Sequence, residues 1–249
     1  MNPFALLLLA LATAGGSETL TVAAASNLKP VLDAAERAFE AGRPGADVAV
    51  TYGGSGALVA QIRAGAPFDL FLSADREYPA SLVEVGLARA EDEVVYALGA
   101  LAVWVPRGSP LDVEGKGLAA LADPAARRIA IANPKVAPYG RAARAALAAA
   151  GVLAAVEDRL VLGQNVSQAA RFAESGAADA AVLPVSLTRL PALAAGRVAR
   201  VPPSLHPPVE QSGIVLSRAR APALARAFLA FLREEKGRAI LAEWGYALP

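Results

Sequence analysis

Short apolar strands alternate with amphipathic helices along most of the chain, and this alternation is the strongest constraint on its fold. Residues 20–25 form an apolar run, and residues 47–52 alternate apolar and polar side chains, which predicts two strands. Between them, apolar residues recur at helical spacing until Gly42 and Pro44 end the pattern. A strand, a helix and a second strand in this order predict a βαβ unit with parallel strands.

The same alternation continues toward the C-terminus. Further strands are predicted at residues 69–72, 94–105, 128–132, 160–162, 178–183, 198–201 and 209–216, and helices after Ser55, after Asp75 and at residues 139–150, 166–175 and 222–235. A chain of 249 residues is long enough for one large domain or for two lobes of roughly 100 residues each. We expect an α/β protein with two lobes around a cleft, each a mostly parallel sheet flanked by helices. The predicted lobes are residues 17–98 with 206–249 for lobe I, and residues 99–205 for lobe II.

The N-terminal residues and the composition bear on where the protein works. Residues 5–12 are all alanine or leucine, and small residues occupy the two positions that signal peptidase inspects, which predicts a secretory signal peptide over residues 1–16. No lysine or arginine precedes the run, and a buried first strand or helix is the alternative. The chain has no cysteine, so we expect no disulfide, no thiolate metal site and no lipid anchor through cysteine. A net charge of +1 without a basic block argues against nucleic acid as a partner.

Four predicted turns lie where a strand leads into a helix, at residues 25–28, 53–56, 137–140 and 164–167. They carry Ser26 and Asn27, Ser55, Tyr139 and Val166. Ligands of open α/β sheets bind beyond the carboxyl ends of the strands, where these turns would fall. Helix N-termini present unpaired N–H groups and a partial positive charge, which suit an anion, and the Tyr139 phenol is a further donor. Serine and asparagine are also ordinary N-cap residues, so capping alone is the alternative for each turn.

Other polar residues point to enzyme chemistry only weakly. Asp69 and Asp75 would suit acid–base work or a metal, but a strand edge and a helix cap account for them. His206 is the only histidine and lies in a proline-rich turn. A hydrolase that uses Ser26 or Ser55 with His206 is an alternative, although the chain has no Gly-x-Ser-x-Gly elbow. We therefore expect no catalytic residues and no metal bound directly by side chains.

Several longer stretches, taken in order, carry a family resemblance. They are Val-Ala-Ala-Ala-Ser-Asn at 22–27, Tyr-Gly-Gly-Ser-Gly at 52–56, Gly-Ala-Pro-Phe-Asp-Leu-Phe-Leu-Ser-Ala-Asp at 65–75, Asn-Pro-Lys-Val-Ala-Pro-Tyr-Gly at 133–140, Gly-Gln-Asn-Val at 163–166 and Trp-Gly-Tyr at 244–246. Over residues 20–248 the chain resembles the periplasmic molybdate-binding proteins of ABC transporters. The resemblance implies the two-lobed periplasmic-binding-protein fold, with the ligand in the cleft between the lobes.

The resemblance also implies a ligand site. The family's contacts carry over to Ser26, Asn27, Ser55, Tyr139 and Val166, the last through its backbone N–H. Many members have a ligand-binding tyrosine where this chain has Leu183. The chain looks like the subgroup that lacks this tyrosine, so Asn27 and Tyr139 are expected to replace its donor. The implied ligand is molybdate or tungstate without any cofactor, and the implied partners are a membrane permease and an ATPase. The expected carrier is a periplasmic monomer.

These five positions offer neutral N–H and O–H donors, which suit an unprotonated dianion. Phosphate keeps a proton near neutral pH, and a buried site without an acceptor would disfavour it by about 1–3 kcal/mol. The alternatives are a binding protein for sulfate, phosphate or an organic anion, the hydrolase named above, and a cytoplasmic effector-binding domain of the same fold.

Overall fold

The computed structural model describes residues 18–249, so the predicted signal peptide lies outside the described residues. The strands are β1 Glu18–Ala25, β2 Ala46–Gly53, β3 Leu70–Ser73, β4 Ala88–Gly99, β5 Leu101–Val105, β6 Ile129–Ala132, β7 Leu160–Gly163, β8 Ala180–Pro184, β9 Arg197–Arg200 and β10 Val209–Leu216. The α-helices are α1 Lys29–Ala41, α2 Ser55–Arg63, α3 Glu77–Val83, α4 Val113–Lys116, α5 Pro138–Ala149, α6 Leu153–Val156, α7 Val166–Glu174, α8 Val185–Thr188, α9 Pro191–Ala194, α10 Pro222–Arg233 and α11 Glu235–Glu243. Short 3-10 turns occur at Ser26–Leu28, Gly117–Ala122, Glu157–Arg159 and Pro203–Leu205. Among residues 18–249, no helix combines the length and the apolar character needed to span a bilayer.

The strands form two sheets with the same plan. The first sheet has the order β2-β1-β3-β10-β4, and the second has the order β7-β6-β8-β5-β9. In the first, β1 is parallel to β2 and β3, while β10 is antiparallel to both of its neighbours. In the second, β6 is parallel to β7 and β8, while β5 is antiparallel to both of its neighbours. Each sheet therefore has four strands in one direction and one reversed strand, which confirms the predicted two-lobed, mostly parallel α/β fold.

The chain crosses twice between the sheets. It passes from β4 to β5 through Ala100, and it returns from β9 to β10 through residues 201–208. The reversed strand of each sheet is the first strand after a crossing. We call the first sheet with its helices lobe I and the second sheet with its helices lobe II. The exact lobe boundaries stay a prediction.

Apolar stripes attach the helices of lobe I to the sheet and to one another. Helix α1 has a proline in its first turn, Pro30, where the missing N–H costs nothing, and it ends at Gly42. The ring of Phe39 packs edge-on against Phe228 and Phe231 of α10, with centroid distances of 5.1 and 5.5 Å. Helix α10, from the C-terminal part of the chain, thus helps to complete the lobe that the N-terminal strands begin.

Two elements differ from the prediction. The strand region predicted at residues 94–105 divides at Ala100 into β4 and β5, which belong to different sheets, and β4 begins earlier than predicted, at Ala88. Helix α11 was not predicted, because only Gly237 and Leu241 of its residues are buried and its apolar stripe is too short to detect.

Candidate functional site

The polar turns of each lobe lie side by side because the strands before them are in parallel register. Ala25 at the end of β1 pairs with Gly53 at the end of β2. In lobe II, Ala132 at the end of β6 pairs with Gly163 at the end of β7. Each lobe therefore presents two neighbouring turns at the carboxyl edge of its sheet, which is the edge where ligands of such sheets bind.

The turns of the two lobes meet around one small cavity. It is lined by all five predicted residues, Ser26, Asn27, Ser55, Tyr139 and Val166, together with Ala25, Gly53, Gly54, Ala74, Ala137, Pro138 and Asn165. Its volume is about 10 Å³, roughly the room for the centre of one water molecule. A Cβ at Gly54 would lie 3.3 Å from the Gln164 carbonyl oxygen of lobe II. The lobes are therefore closed on each other, and the glycine turn allows their backbones to approach.

The two serines offer hydroxyl groups to this cavity. Ser26 is 4% exposed, and its Oγ has no hydrogen-bond partner within the part of the chain that the structure describes. Ser55 is 1% exposed, and its Oγ accepts the Ala74 N–H at 3.3 Å, which leaves its own hydrogen free to donate. Neither side chain caps the helix it begins. The capping alternative therefore fails for both serines, and two buried hydroxyl hydrogens remain for another acceptor.

Two α-helix N-termini of lobe II add backbone donors. The first N–H groups of a helix have no acceptor within that helix. In α5, Pro138 occupies the first position and lacks an N–H, so Tyr139 supplies the first one. In α7, the Asn165 side chain caps the Gln168 N–H at 3.0 Å and leaves the Val166 N–H uncapped. Capping and a free donor thus occur together at the same helix end.

The side chains of Asn27 and Tyr139 are engaged inside lobe I and at its edge. Both amide hydrogens of Asn27 are used inside the protein, by Gln211 Oε1 at 2.7 Å and by the Tyr246 hydroxyl at 2.8 Å. The Tyr139 ring lies against Gly99, where an added Cβ would approach Tyr139 Cζ to 2.8 Å. Gly99 does not line the cavity. Both side chains therefore make these contacts with residues of lobe I, and the backbone N–H groups of Asn27 and Tyr139 are further donors beside the cavity.

The lining side chains are all neutral near pH 7. None belongs to a lysine, arginine, aspartate or glutamate. Burial, and then the nearby Tyr246 and Tyr96, raise the pKa of Tyr139 well above its ordinary value of 10.0. Across residues 18–249, no group of three or more His, Cys, Asp or Glu side chains is arranged to hold a metal ion. An anion in this cavity would meet hydrogen-bond donors and helix ends rather than a counter-cation.

The histidine and the two aspartates considered for enzyme chemistry lie outside this cavity. His206 lines a separate cavity of about 570 Å³ beside the two crossings, and its Nδ1 lies 2.8 Å from the Pro207 carbonyl oxygen. Asp75 accepts the Tyr78 N–H at 3.1 Å in the first turn of α3. Asp69 accepts backbone N–H groups of Thr21, Arg220 and Ala221. Each of these three residues has a structural partner, and none lines the cavity that contains Ser26 and Ser55.

Sequence reasoning missed the hydrogen bonds that join the lobes around the first turn. Ser186 Oγ of lobe II donates to the Asn27 carbonyl oxygen at 3.0 Å, and Ser167 Oγ of lobe II is 3.4 Å from the Ser26 carbonyl oxygen. The Tyr246 hydroxyl donates to the same Asn27 oxygen at 3.0 Å. A single serine near a helix start gives no pattern to detect, whereas the Trp-Gly-Tyr stretch at 244–246 was one available signal for Tyr246.

The chain is similar to known proteins over most of its length. Residues 20–247 match the family model described as bacterial extracellular solute-binding protein. The molybdate-binding protein ModA of Rhodobacter capsulatus is 35% identical over 238 residues, which cover 96% of this chain and 91% of the relative. The protein of the same name from Azotobacter vinelandii is 33% identical, over 96% of this chain and 93% of the relative. The solved structure of the Azotobacter vinelandii periplasmic molybdate-binding protein superposes with a TM-score of 0.84 and 32% identity, over 92% of this chain and 99% of that one.

Proposed function

Because the chain belongs to the bacterial extracellular solute-binding protein family, we propose that it binds molybdate or tungstate between its lobes. Relatives of similar length that carry the name molybdate-binding protein support this ligand. The proposed contacts are the hydroxyls of Ser26 and Ser55 and the backbone N–H groups of Asn27, Tyr139 and Val166. They come from both lobes, so an anion that accepts from all of them stabilises the closed form.

The observation that carries the proposal is the buried Ser26 hydroxyl, which has no partner in residues 18–249. A buried polar group without a partner costs about 1–3 kcal/mol, and such groups are rare unless a ligand or water completes them. A tetrahedral dianion supplies several acceptor oxygens and no proton. Hydrogen bonds to an ionised acceptor are stronger than those between neutral groups, which suits a cage made of neutral donors.

The lack of a carboxylate among the lining residues also disfavours the binding of phosphate. Phosphate keeps a proton near neutral pH, and no carboxylate lines the cavity to accept it. The unpaired O–H would cost about 1–3 kcal/mol, which is roughly a tenfold to hundredfold loss of affinity. Sulfate carries no such proton, so it is the second candidate ligand, and selection against it has to come from the size of the cavity.

The remaining features of the proposal concern the cellular role. The mature protein acts outside the cytoplasm after removal of residues 1–16, and it delivers its anion to the permease and ATPase of an ABC transporter. It works as a monomer and without a cofactor. The lobes are residues 17–98 with 206–249, and residues 99–205. They open and close about the two crossings, at Ala100 and at residues 201–208, which is a hinge motion around the ligand.

Isothermal titration calorimetry and thermal unfolding with molybdate, tungstate, sulfate and phosphate test the proposed ligand. Molybdate and tungstate should bind more tightly than sulfate, and phosphate should bind least. A ligand present at about 100 times its Kd should stabilise the protein by about 2.7 kcal/mol. Binding of sulfate or phosphate without binding of molybdate or tungstate would refute the proposed ligand. His206→Ala should leave anion binding intact, because His206 does not line the cavity.

A further inference from the structure

Tyr246, close to the C-terminus, lies at the back of the proposed anion site. The segment after α11 is held against lobe I by paired backbone hydrogen bonds between Ala247 and Leu98. This places the Tyr246 hydroxyl in the interior, where it donates to the Asn27 carbonyl oxygen at 3.0 Å and accepts from Asn27 Nδ2 at 2.8 Å. Tyr246 is 5% exposed, and burial raises its pKa to about 12, so its hydroxyl is a neutral donor near pH 7.

A side chain of lobe II meets the same point. Ser186 belongs to α8, and its Oγ donates to the Asn27 carbonyl oxygen at 3.0 Å. The Tyr246 hydroxyl lies 3.3 Å from this Oγ. We call Tyr246, Ser186 and Asn27 the Tyr246 junction. It is a buried point where lobe I, lobe II and the first anion turn share hydrogen bonds.

The Asn27 carbonyl oxygen in the junction belongs to the peptide unit that follows the one carrying the Asn27 N–H, a proposed anion donor. The peptide bond is planar, so a bond that holds a carbonyl oxygen also fixes the direction of the N–H in the same unit. Ser167 Oγ of lobe II approaches the Ser26 carbonyl, which shares a peptide unit with the Asn27 N–H. Tyr246 and Ser186 donate to the next carbonyl, that of Asn27. Gln211 Oε1, on β10, accepts a hydrogen bond from the side-chain amide of Asn27. Gln211 and Tyr246 therefore hold the turn from within lobe I, and closure of the lobes adds the contacts of Ser167 and Ser186.

We propose that Tyr246 is a positioning residue, which together with Ser186 couples closure of the lobes to the orientation of the Ser26–Asn27 turn. The inference rests on the proposed function, since the turn is oriented for an anion. In the open form Ser186 leaves with lobe II, and Tyr246 and Gln211 keep Asn27 in place. In the closed form Ser186 joins them, and the turn has the orientation in which its donors face the cavity.

Tyr246→Phe and Ser186→Ala test the junction, and Tyr96→Phe is the matched control. Tyr96 is also a fully buried tyrosine, but its hydroxyl has no hydrogen-bond partner within residues 18–249. Affinity for molybdate is measured by calorimetry, and dissociation is followed by stopped-flow displacement. Tyr246→Phe and Ser186→Ala should each raise Kd by about tenfold, mainly through faster dissociation, whereas Tyr96→Phe should leave Kd unchanged. Ser186→Thr, which restores a hydroxyl, should recover affinity.

A double-mutant cycle separates coupling from simple loss of packing. Residues that share one network show non-additive effects, so Tyr246→Phe combined with Ser186→Ala should weaken binding by clearly less than the product of the two single effects. Full additivity would overturn the inference, as would an unchanged Kd in Tyr246→Phe. If Tyr246→Phe does not fold, the test is the comparison of Ser186→Ala with Ser186→Thr. An unchanged Kd in Ser186→Ala then overturns the inference. Wild-type protein that binds none of the four anions refutes the proposed function itself, and the inference with it.

Discussion

The Ser26 hydroxyl differs from the Ser55 hydroxyl in what it does before a ligand arrives. Ser55 Oγ already accepts the Ala74 N–H, whereas Ser26 Oγ has no partner among the described residues. The ligand-free closed form therefore bears the desolvation cost of Ser26, and an anion relieves it. This cost also favours the open form without ligand, in which water can reach the hydroxyl.

Ser26→Ala should weaken molybdate binding by about 1–3 kcal/mol, because one hydrogen bond to an anion is lost. The same change should not lower the free energy of unfolding without ligand, because the hydroxyl makes no bond there. Calorimetry measures the first effect, and urea unfolding without anion measures the second. A less stable ligand-free protein with unchanged affinity would show that Ser26 has a structural role instead.

Tyr139→Phe should weaken binding less than Ser26→Ala does. The phenol lies beside Gly99 rather than in the cavity, and the backbone N–H that Tyr139 contributes survives the change. Parallel titrations of the two variants with molybdate check the order. A larger effect of Tyr139→Phe would mean that the phenol turns into the cavity when the ligand is bound.

Asp69 shows how one buried carboxylate joins three elements of lobe I. Asp69 directly precedes β3. Its carboxylate accepts hydrogen bonds from the N–H and the hydroxyl of Thr21 in β1, at 2.8 and 2.6 Å. It also accepts the N–H groups of Arg220 and Ala221, at 2.6 and 3.2 Å. The last two donors immediately precede α10, so the carboxylate fixes where this helix starts. Burial alone would raise the pKa of Asp69, but the bonds from Thr21, Ala221 and Arg220 outweigh it and lower the pKa below 3.8.

The lowered pKa gives a stability that depends on pH. An unfolded aspartate titrates near pH 3.9, so the stabilisation from Asp69 is present above about pH 4 and is lost as pH falls through the lower folded pKa. Asp69→Asn should lower the free energy of unfolding at pH 7 by about 1–3 kcal/mol and flatten its decline below pH 4. Urea unfolding at pH 7, 5, 4 and 3 tests this, with Asp47→Asn, an exposed aspartate with one hydrogen bond, as the control. A decline with pH in Asp69→Asn as steep as in the wild type would contradict the assignment.

Local patterns predicted the elements that bury one clear face. The alternation at 47–52 and the helical spacing before Phe39 correspond to β2 and α1. The charged half of β4 gave no signal, because residues 89–93 of this edge strand are largely exposed and its pairing partner, β10, is distant in sequence. The turns of the site were predictable from their place between strand and helix. The direction of the Asn27 amide was not, because it depends on Gln211 and Tyr246, which are far along the chain.

The closed form of the whole molecule is held on both sides of the anion cavity. Behind it lies the Tyr246 junction. At the rim, the Tyr78 hydroxyl of lobe I donates to the Val136 carbonyl oxygen of lobe II at 3.0 Å. Gly56 makes room for this contact, since a Cβ there would lie 3.1 Å from the same oxygen. The rim and the junction must both open before an anion can leave, so they should govern the dissociation rate more than the association rate.

Arg141 provides the clearest test of the rim. It extends from α5 of lobe II and pairs with Asp75 and with Glu77 of lobe I, the latter at 3.1 Å. Its side chain is 35% exposed, and ion pairs at such sites contribute about 0.2–1 kcal/mol. Arg141→Ala should therefore speed molybdate dissociation by about fivefold at most, and the difference from wild type should shrink as salt screens the pairs.

Arg144→Ala is the matched control for Arg141→Ala. Arg144 is on the same helix, and its ion pair with Glu157 at 2.7 Å lies within lobe II, so closure neither makes nor breaks it. Its removal should leave the dissociation rate unchanged at every salt concentration. Stopped-flow displacement at low and high salt measures both variants. Equal effects of the two substitutions would mean that only the charge of α5 matters. A faster rate in Arg141→Ala alone would mean that the ion pair across the cleft helps to keep the lobes closed over the anion.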